Sequence, residues 1–249
     1  MSSSQRFRPL TYLPILVSAL CAVIVGQMAW HEPRYLVPFA AIALVTTVPR
    51  LLARNRMKRL LMSGDVKQVL GTWEGSIERV MYPETMAPLM AATAYASYGW
   101  IEAARNALER AVKGPAWEAA LEQRLFVEAL LDTFEGDQAH ALAKAEALER
   151  MPMPRSGPIA RARIARLRRG VSAMARAFAH TAKQADEKVL KAAAVASPLI
   201  HWAMRYALAI VAVDRGDKDE AQKLLVGAPE WPKQSAFRSF HEELAGRLA

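Results

Sequence analysis

The chain has 249 residues, a formal net charge of +9 and a single cysteine, Cys21. One cysteine excludes a disulfide framework and a cysteine-rich metal site. The charge is concentrated: residues 1–60 carry eight Lys/Arg against one acid, and the remainder carries 25 against 23. This argues against a basic surface covering the whole molecule, as a general nucleic-acid binder would have.

A short basic tail, residues 1–9, holds Arg6 and Arg8. Leu10 to Trp30 is a run of 21 residues without a charge; His31-Glu32-Pro33-Arg34 follows, and Tyr35 to Pro49 is apolar again. A spanning helix needs ~20 apolar residues to cross a ~30 Å hydrocarbon core. The first run meets that length. The second has only 15 uncharged residues between Arg34 and Arg50. To span, Arg50 must snorkel so that Leu51, Leu52 and Ala53 extend the segment. A re-entrant or interfacial helix is the alternative. Residues 10–53 are therefore expected to form a transmembrane helical hairpin. Arg6 and Arg8 lie before it, and Arg50, Arg54, Arg56, Lys58 and Arg59 lie at its end. That bias places both termini in the cytoplasm, as for a bacterial inner-membrane protein. A cleaved signal is the rival for the first run, but Leu20 is too large for the position before Cys21 in a lipoprotein cleavage box.

Residues 54–249 are Ala- and Leu-rich, with few β-branched side chains, which favours helix. An apolar helix, a small turn with Gly, a second Ala-rich helix and a Pro recur. The clearest copy runs from Ala91 through Gly99 and Ala103-Ala104 to Pro115. Another has Ala129, Gly136-Asp137, Ala141, Ala145, Leu148 and Pro152. The last has Ala209, Gly216-Asp217, Ala221, Leu225, Ala228 and Pro232. Weaker copies centre on Gly64-Asp65 and on Gly170. The five glycines are spaced by 35, 37, 34 and 46 residues, and the last gap assigns an insertion to Asp186–Ala196.

Over residues 50–232 this pattern resembles the tetratricopeptide repeat family, whose period is about 34. The resemblance implies an all-α fold: about five stacked helix pairs forming an α-solenoid, with a groove lined by the first helix of each pair. A generic helical solenoid is the alternative. Arg50–Met62 would be the first helix of the first pair, with no flexible linker after the hairpin, so the stack would be held close to the membrane. Phe237, Phe240, Leu244 and Leu248 make Lys233–Leu248 an amphipathic helix, expected to cap the open end.

Residues 150–185 contain nine Lys/Arg and no Asp or Glu. With Ala160, Ile164, Leu167 and Val171 as the buried stripe, Arg161, Arg163, Arg166, Arg168 and Arg169 fan over the rest of one helix. Their mutual repulsion points either to a solvated face or to an acidic neighbour such as anionic lipid or an acidic protein. Nucleic acid is not favoured, because few aromatic residues interleave.

No chemistry is visible. The five histidines lack ligand spacing, and there is no phosphate loop, dinucleotide glycine pattern or nucleophile elbow. No catalytic residue, metal or cofactor is expected. The leading reading is a membrane-anchored scaffold or adaptor that binds a protein or peptide partner, with Tyr95, Tyr98, Arg124, Glu128 and Arg205 as candidate groove residues. The alternative is an accessory subunit of a larger membrane complex, in which the hairpin is the working part and the repeats dock it.

Overall fold

A computed structural model describes Gln27 and residues 36–77 and 80–248. Apart from Gln27, the basic tail, the run Leu10–Trp30 and the link after it lie outside the described residues. The chain divides after Met57 into two compact units.

The first unit contributes most of α1, Leu36–Met62, which continues through Pro49 and Arg50 into the basic cluster. Val37, Leu44, Val45 and Leu51 on it are exposed. The second membrane span expected in this region is not supported: no single helix among the described residues is long and apolar enough to cross a membrane. Fifteen uncharged residues at ~1.5 Å each reach about 22 Å, short of the ~30 Å core. Asp186–Ala196 and Pro198–Asp214 together have the composition of a broken span, bent by 119°. Most of their large apolar side chains, including Leu190, Ile200 and Met204, are buried in the second unit, which accounts for that composition; Val195 is exposed.

The second unit is all-helical among the described residues. After α1 come α2 (Val66–Ile77), α3 (Pro83–Ser97), α4 (Ile101–Arg110) and the short α5 (Pro115–Ala119). Then follow α6 (Leu121–Glu135), α7 (Gln138–Arg150), α8 (Pro158–Phe178) and α9 (Asp186–Ala196). A 3₁₀ turn at Pro198–Ile200 leads to α10 (His201–Asp214), α11 (Lys218–Leu225) and α12 (Ala236–Leu248). Four antiparallel pairs form: α3–α4, α6–α7, α8–α9 and α10–α11. The first helices α3, α6, α8 and α10 pack in succession, so each pair buries its open face on the next. The expected fifth pair at Gly64 does not form in this way; α2 packs against α3.

All four pairs turn by one device. The first helix ends in a left-handed residue whose N–H and the following N–H bond back to the last turn. At Gly99 these bonds run from Gly99 N–H to the Ala96 carbonyl (3.0 Å) and from Trp100 N–H to Tyr95 (2.9 Å). The same pattern occurs at Gly136 and Gly216. Asp137 and Asp217 then cap the second helices by accepting from the His140 and Glu220 amides.

The fourth turn corrects the sequence reading. Gly170 lies inside α8, and the left-handed residue is His180, with φ 55°. His180 N–H bonds to the Ala177 carbonyl (3.0 Å) and Thr181 N–H to Arg176 (2.9 Å), as in the glycine turns. Its imidazole Nδ1 lies 2.9 Å from the Asp214 carboxylate, on the next pair. The turns are therefore spaced by 35, 37, 44 and 36 residues. The extra length lies in the 21-residue α8, and Asp186–Ala196 is the second helix of the pair. Gly170 has a different function: a Cβ there would sit 2.5 Å from Ala193 Cβ. Its missing side chain lets α8 and α9 approach closely.

The C-terminal helix α12 packs on the last pair, with Leu248 clustered against Ala212 and Ala221, and the segment leading into it reaches further. It crosses the unit and fastens residues far apart in sequence. Ala236 N–H bonds to the Gly99 carbonyl (2.8 Å), and Ser235 Oγ donates to the Tyr98 carbonyl (2.6 Å). Phe237 is fully buried against Phe134 of α6 (5.2 Å between ring centroids), Tyr206 of α10 and Trp231. Trp202 Nε1 donates to the Met62 carbonyl (2.8 Å), and α3 packs against Pro198–Ile200, so the last pair meets the first.

Gly170→Ala is expected to destabilise the unit by about 1–2 kcal/mol through overpacking, despite alanine's better helix propensity. The double variant Gly170→Ala/Ala193→Gly should recover much of that loss. Urea unfolding of the two singles and the double, read as a cycle, checks this.

Candidate functional site

The five groove candidates do not all reach the surface. Tyr98 is buried, and its hydroxyl donates to the Leu61 carbonyl at 2.7 Å. Burial raises its pKa, and Asp65 adds to that shift. Arg124 stacks over the Trp117 ring at 4.3 Å. Glu128 pairs with Lys144 at 3.2 Å. Arg205 lies over Trp202 at 5.0 Å and donates to the Lys223 carbonyl, with its pKa lowered by burial. Tyr95 lines an open cavity. Phe134 and Phe178 at the ends of α6 and α8, and Tyr206 midway along α10, are covered by Trp231, Phe237 and Phe240 of the chain's own C-terminal segment.

The arginine fan also divides. Arg161, Arg163, Arg166 and Arg169 are exposed. Arg168 is not part of that surface, because its side chain is 2% exposed. Its Nε donates to Glu122 of α6 at 3.0 Å, and its Nη atoms donate to the Met151 and Pro152 carbonyls just past α7. A guanidinium is needed here because two carbonyls beyond a helix end and a carboxylate converge on one position. The heptad-like stripe begins later than the sequence suggests: Ala160 is exposed, Ile164 and Leu167 are half-buried, and Val171 is buried.

An extended concave surface runs along α4. A cavity of about 890 Å³ is lined by Trp100, Ile101, Ala103 and Asn106 on one side and by Gln234, Arg238 and Glu242 on the other. Through Ala103 and Asn106 it joins a cavity of about 450 Å³, lined by Ala87, Pro88, Ala91 and Tyr95 of α3 and by Ala107 and Arg110. Through Trp100 and Gln234 it adjoins one of about 480 Å³, bordered by Gly64, Asp65, Pro229 and Glu230. Together they make a trough with an alanine-rich floor and charges of both signs along its edges. Trp100 stands at the junction, 6.1 Å from the Tyr95 ring. Its buried Nε1–H has no acceptor among the described residues.

No histidine or cysteine lines the trough, and no group of three potential metal ligands occurs among the described residues. Trp100, Asn106 and Gln234 were not singled out by sequence, because Gln234 reaches α4 only through the long return of the C-terminal segment. Compared with known proteins, the chain matches no family model, no curated protein and no solved structure.

Arg168→Ala should cost about 3 kcal/mol, in the range for breaking a buried charged contact, whereas Arg163→Ala should stay within about 0.5 kcal/mol; chemical denaturation separates them. His201 Nδ1–H donates to the Ala194 carbonyl at 3.1 Å. Burial lowers its pKa from 6.5; the Ala194 bond opposes this, and Arg205 and Lys58 add to it. The unfolded chain thus takes up a proton that the folded chain resists. This contribution to stability is present above pH 6.5 and is lost as pH falls below it. Denaturation midpoints measured from neutral pH downward should fall less steeply for His201→Gln than for the parent.

Proposed function

We propose that the chain is a membrane-anchored helical scaffold that binds a segment of a partner protein in the α4 trough. The observation that carries this reading is the contrast between two surfaces. Phe134, Phe178 and Tyr206 are covered by the chain's own C-terminal segment, while the trough is open and continuous. Its alanine floor admits close approach by another backbone, and its mixed edge charges suit a polar rim around an apolar contact.

The repeat pattern and the left-handed turns support a tetratricopeptide-like descent for the pairs. Membrane attachment at the cytoplasmic face of a bacterial inner membrane rests on the uncharged run Leu10–Trp30 and on the basic residues at either end of 10–53. The exposed aliphatic side chains of α1 favour the same setting. They also favour the second reading, an accessory subunit whose N-terminal segments do the work.

Ala103→Trp and Ala91→Trp would fill the trough from its floor. Crosslinking and pull-down of the full-length protein from native membranes should lose the captured partner at least tenfold with either variant, while thermal unfolding stays near the parent's. Capture that survives both variants, yet disappears when residues 1–53 are replaced by an unrelated anchor, would favour the second reading.

A further inference from the structure

We infer that the projecting start of α8 is a contact site for an anionic membrane surface. From Arg155 to Arg163 every residue is exposed, and Arg166 and Arg169 continue the basic face. Arg155, Arg161, Arg163 and Arg166 make no ion pair among the described residues. Nearby arginines do pair: Arg150 with Glu146, Arg176 with Asp186 and Arg168 with Glu122. Between Arg150 and Asp186 there is no acidic residue. The first turn of α8 carries none either, so the positive end of the helix dipole adds to the arginines. Within the folded unit this arrangement is only repulsive.

Two aliphatic side chains choose the partner. Ile159 is 86% exposed, and Met153 stands exposed just before the helix. An apolar side chain at the tip of a basic projection gains when it enters the acyl boundary below anionic headgroups. A nucleic-acid phosphate backbone offers Ile159 no such burial, and no aromatic residue stands on this tip to stack on a base. Pro152, Pro154 and Pro158, with Gly157, end α7 and set the start of α8, so the tip is built into the backbone.

A fluorophore at the tip tests this in the whole protein. In a Cys21→Ser background, Ile159→Cys gives one labelling site, because Cys21 is the only cysteine. An environment-sensitive dye there should shift to the blue, and be quenched by spin-labelled lipids, in proteoliposomes containing phosphatidylserine. It should respond little in pure phosphatidylcholine. Each basic residue near an anionic surface contributes roughly fivefold in partitioning, so Arg161→Glu/Arg163→Glu should abolish the response, and added salt should weaken it. These side chains are exposed, and an unchanged thermal melt confirms folding; Arg161→Gln/Arg163→Gln gives a milder, partial loss. Equal responses in neutral and anionic vesicles, or none in either, overturn the inference. So does a dye response to a duplex or single-stranded oligonucleotide that exceeds the response to vesicles.

Discussion

The return of the C-terminal segment across the unit is the constraint on which the remaining structure depends. A stack of helix pairs is ordinarily quasi-one-dimensional, each pair touching only its neighbours. Here Ser235 and Ala236 bond to the turn at Tyr98–Gly99, 137 residues away in sequence for the side-chain bond. Phe237 joins rings from α6, α10 and the Trp231 loop. Trp231 Nε1 donates to the Tyr206 hydroxyl at 2.7 Å in the same cluster. Those contacts convert nearest-neighbour stacking into one cooperative core, and they use up the aromatic surface that an open stack would present to a partner.

Charged groups reinforce the pairs where apolar packing leaves gaps. Asp132 of α6 receives Arg105 of α4 at 3.0 Å and Lys144 of α7 at 2.8 Å, tying three helices at one carboxylate. Burial alone would raise the pKa of Asp186, but the Arg176 pair and the Lys183 amide outweigh it and hold the group below its ordinary value. Arg168 joins α6, α7 and α8. Each of these is an internal fastening, which is why the acidic partners go to some arginines and leave the tip of α8 with none.

Several features were legible because they are local. Gly99, Gly136 and Gly216 end helices in the left-handed conformation, and Asp137 and Asp217 cap the next helix. Both effects depend on a few consecutive residues. Other features misled for an equally physical reason. Gly170 sits at the right interval for a turn, yet it serves helix contact, since a glycine's lack of Cβ is equally useful for a turn or for close packing. His180 takes the left-handed position without a glycine and is held by Asp214 from the next pair. The trough was not foreseen, because its two walls come from α4 and from Gln234, more than a hundred residues later.

By itself the sequence determined that the described residues are helical, where three of the four paired first helices stop, that the charge is uneven, and that one long run lacks charge altogether. These follow from composition, periodicity and capping, which act within a turn or two. Only the tertiary structure decided which arginine is buried, which glycine is a contact, and where the C-terminal aromatics go. Those outcomes depend on which distant side chains compete for the same buried space, and no periodicity along the chain records that competition.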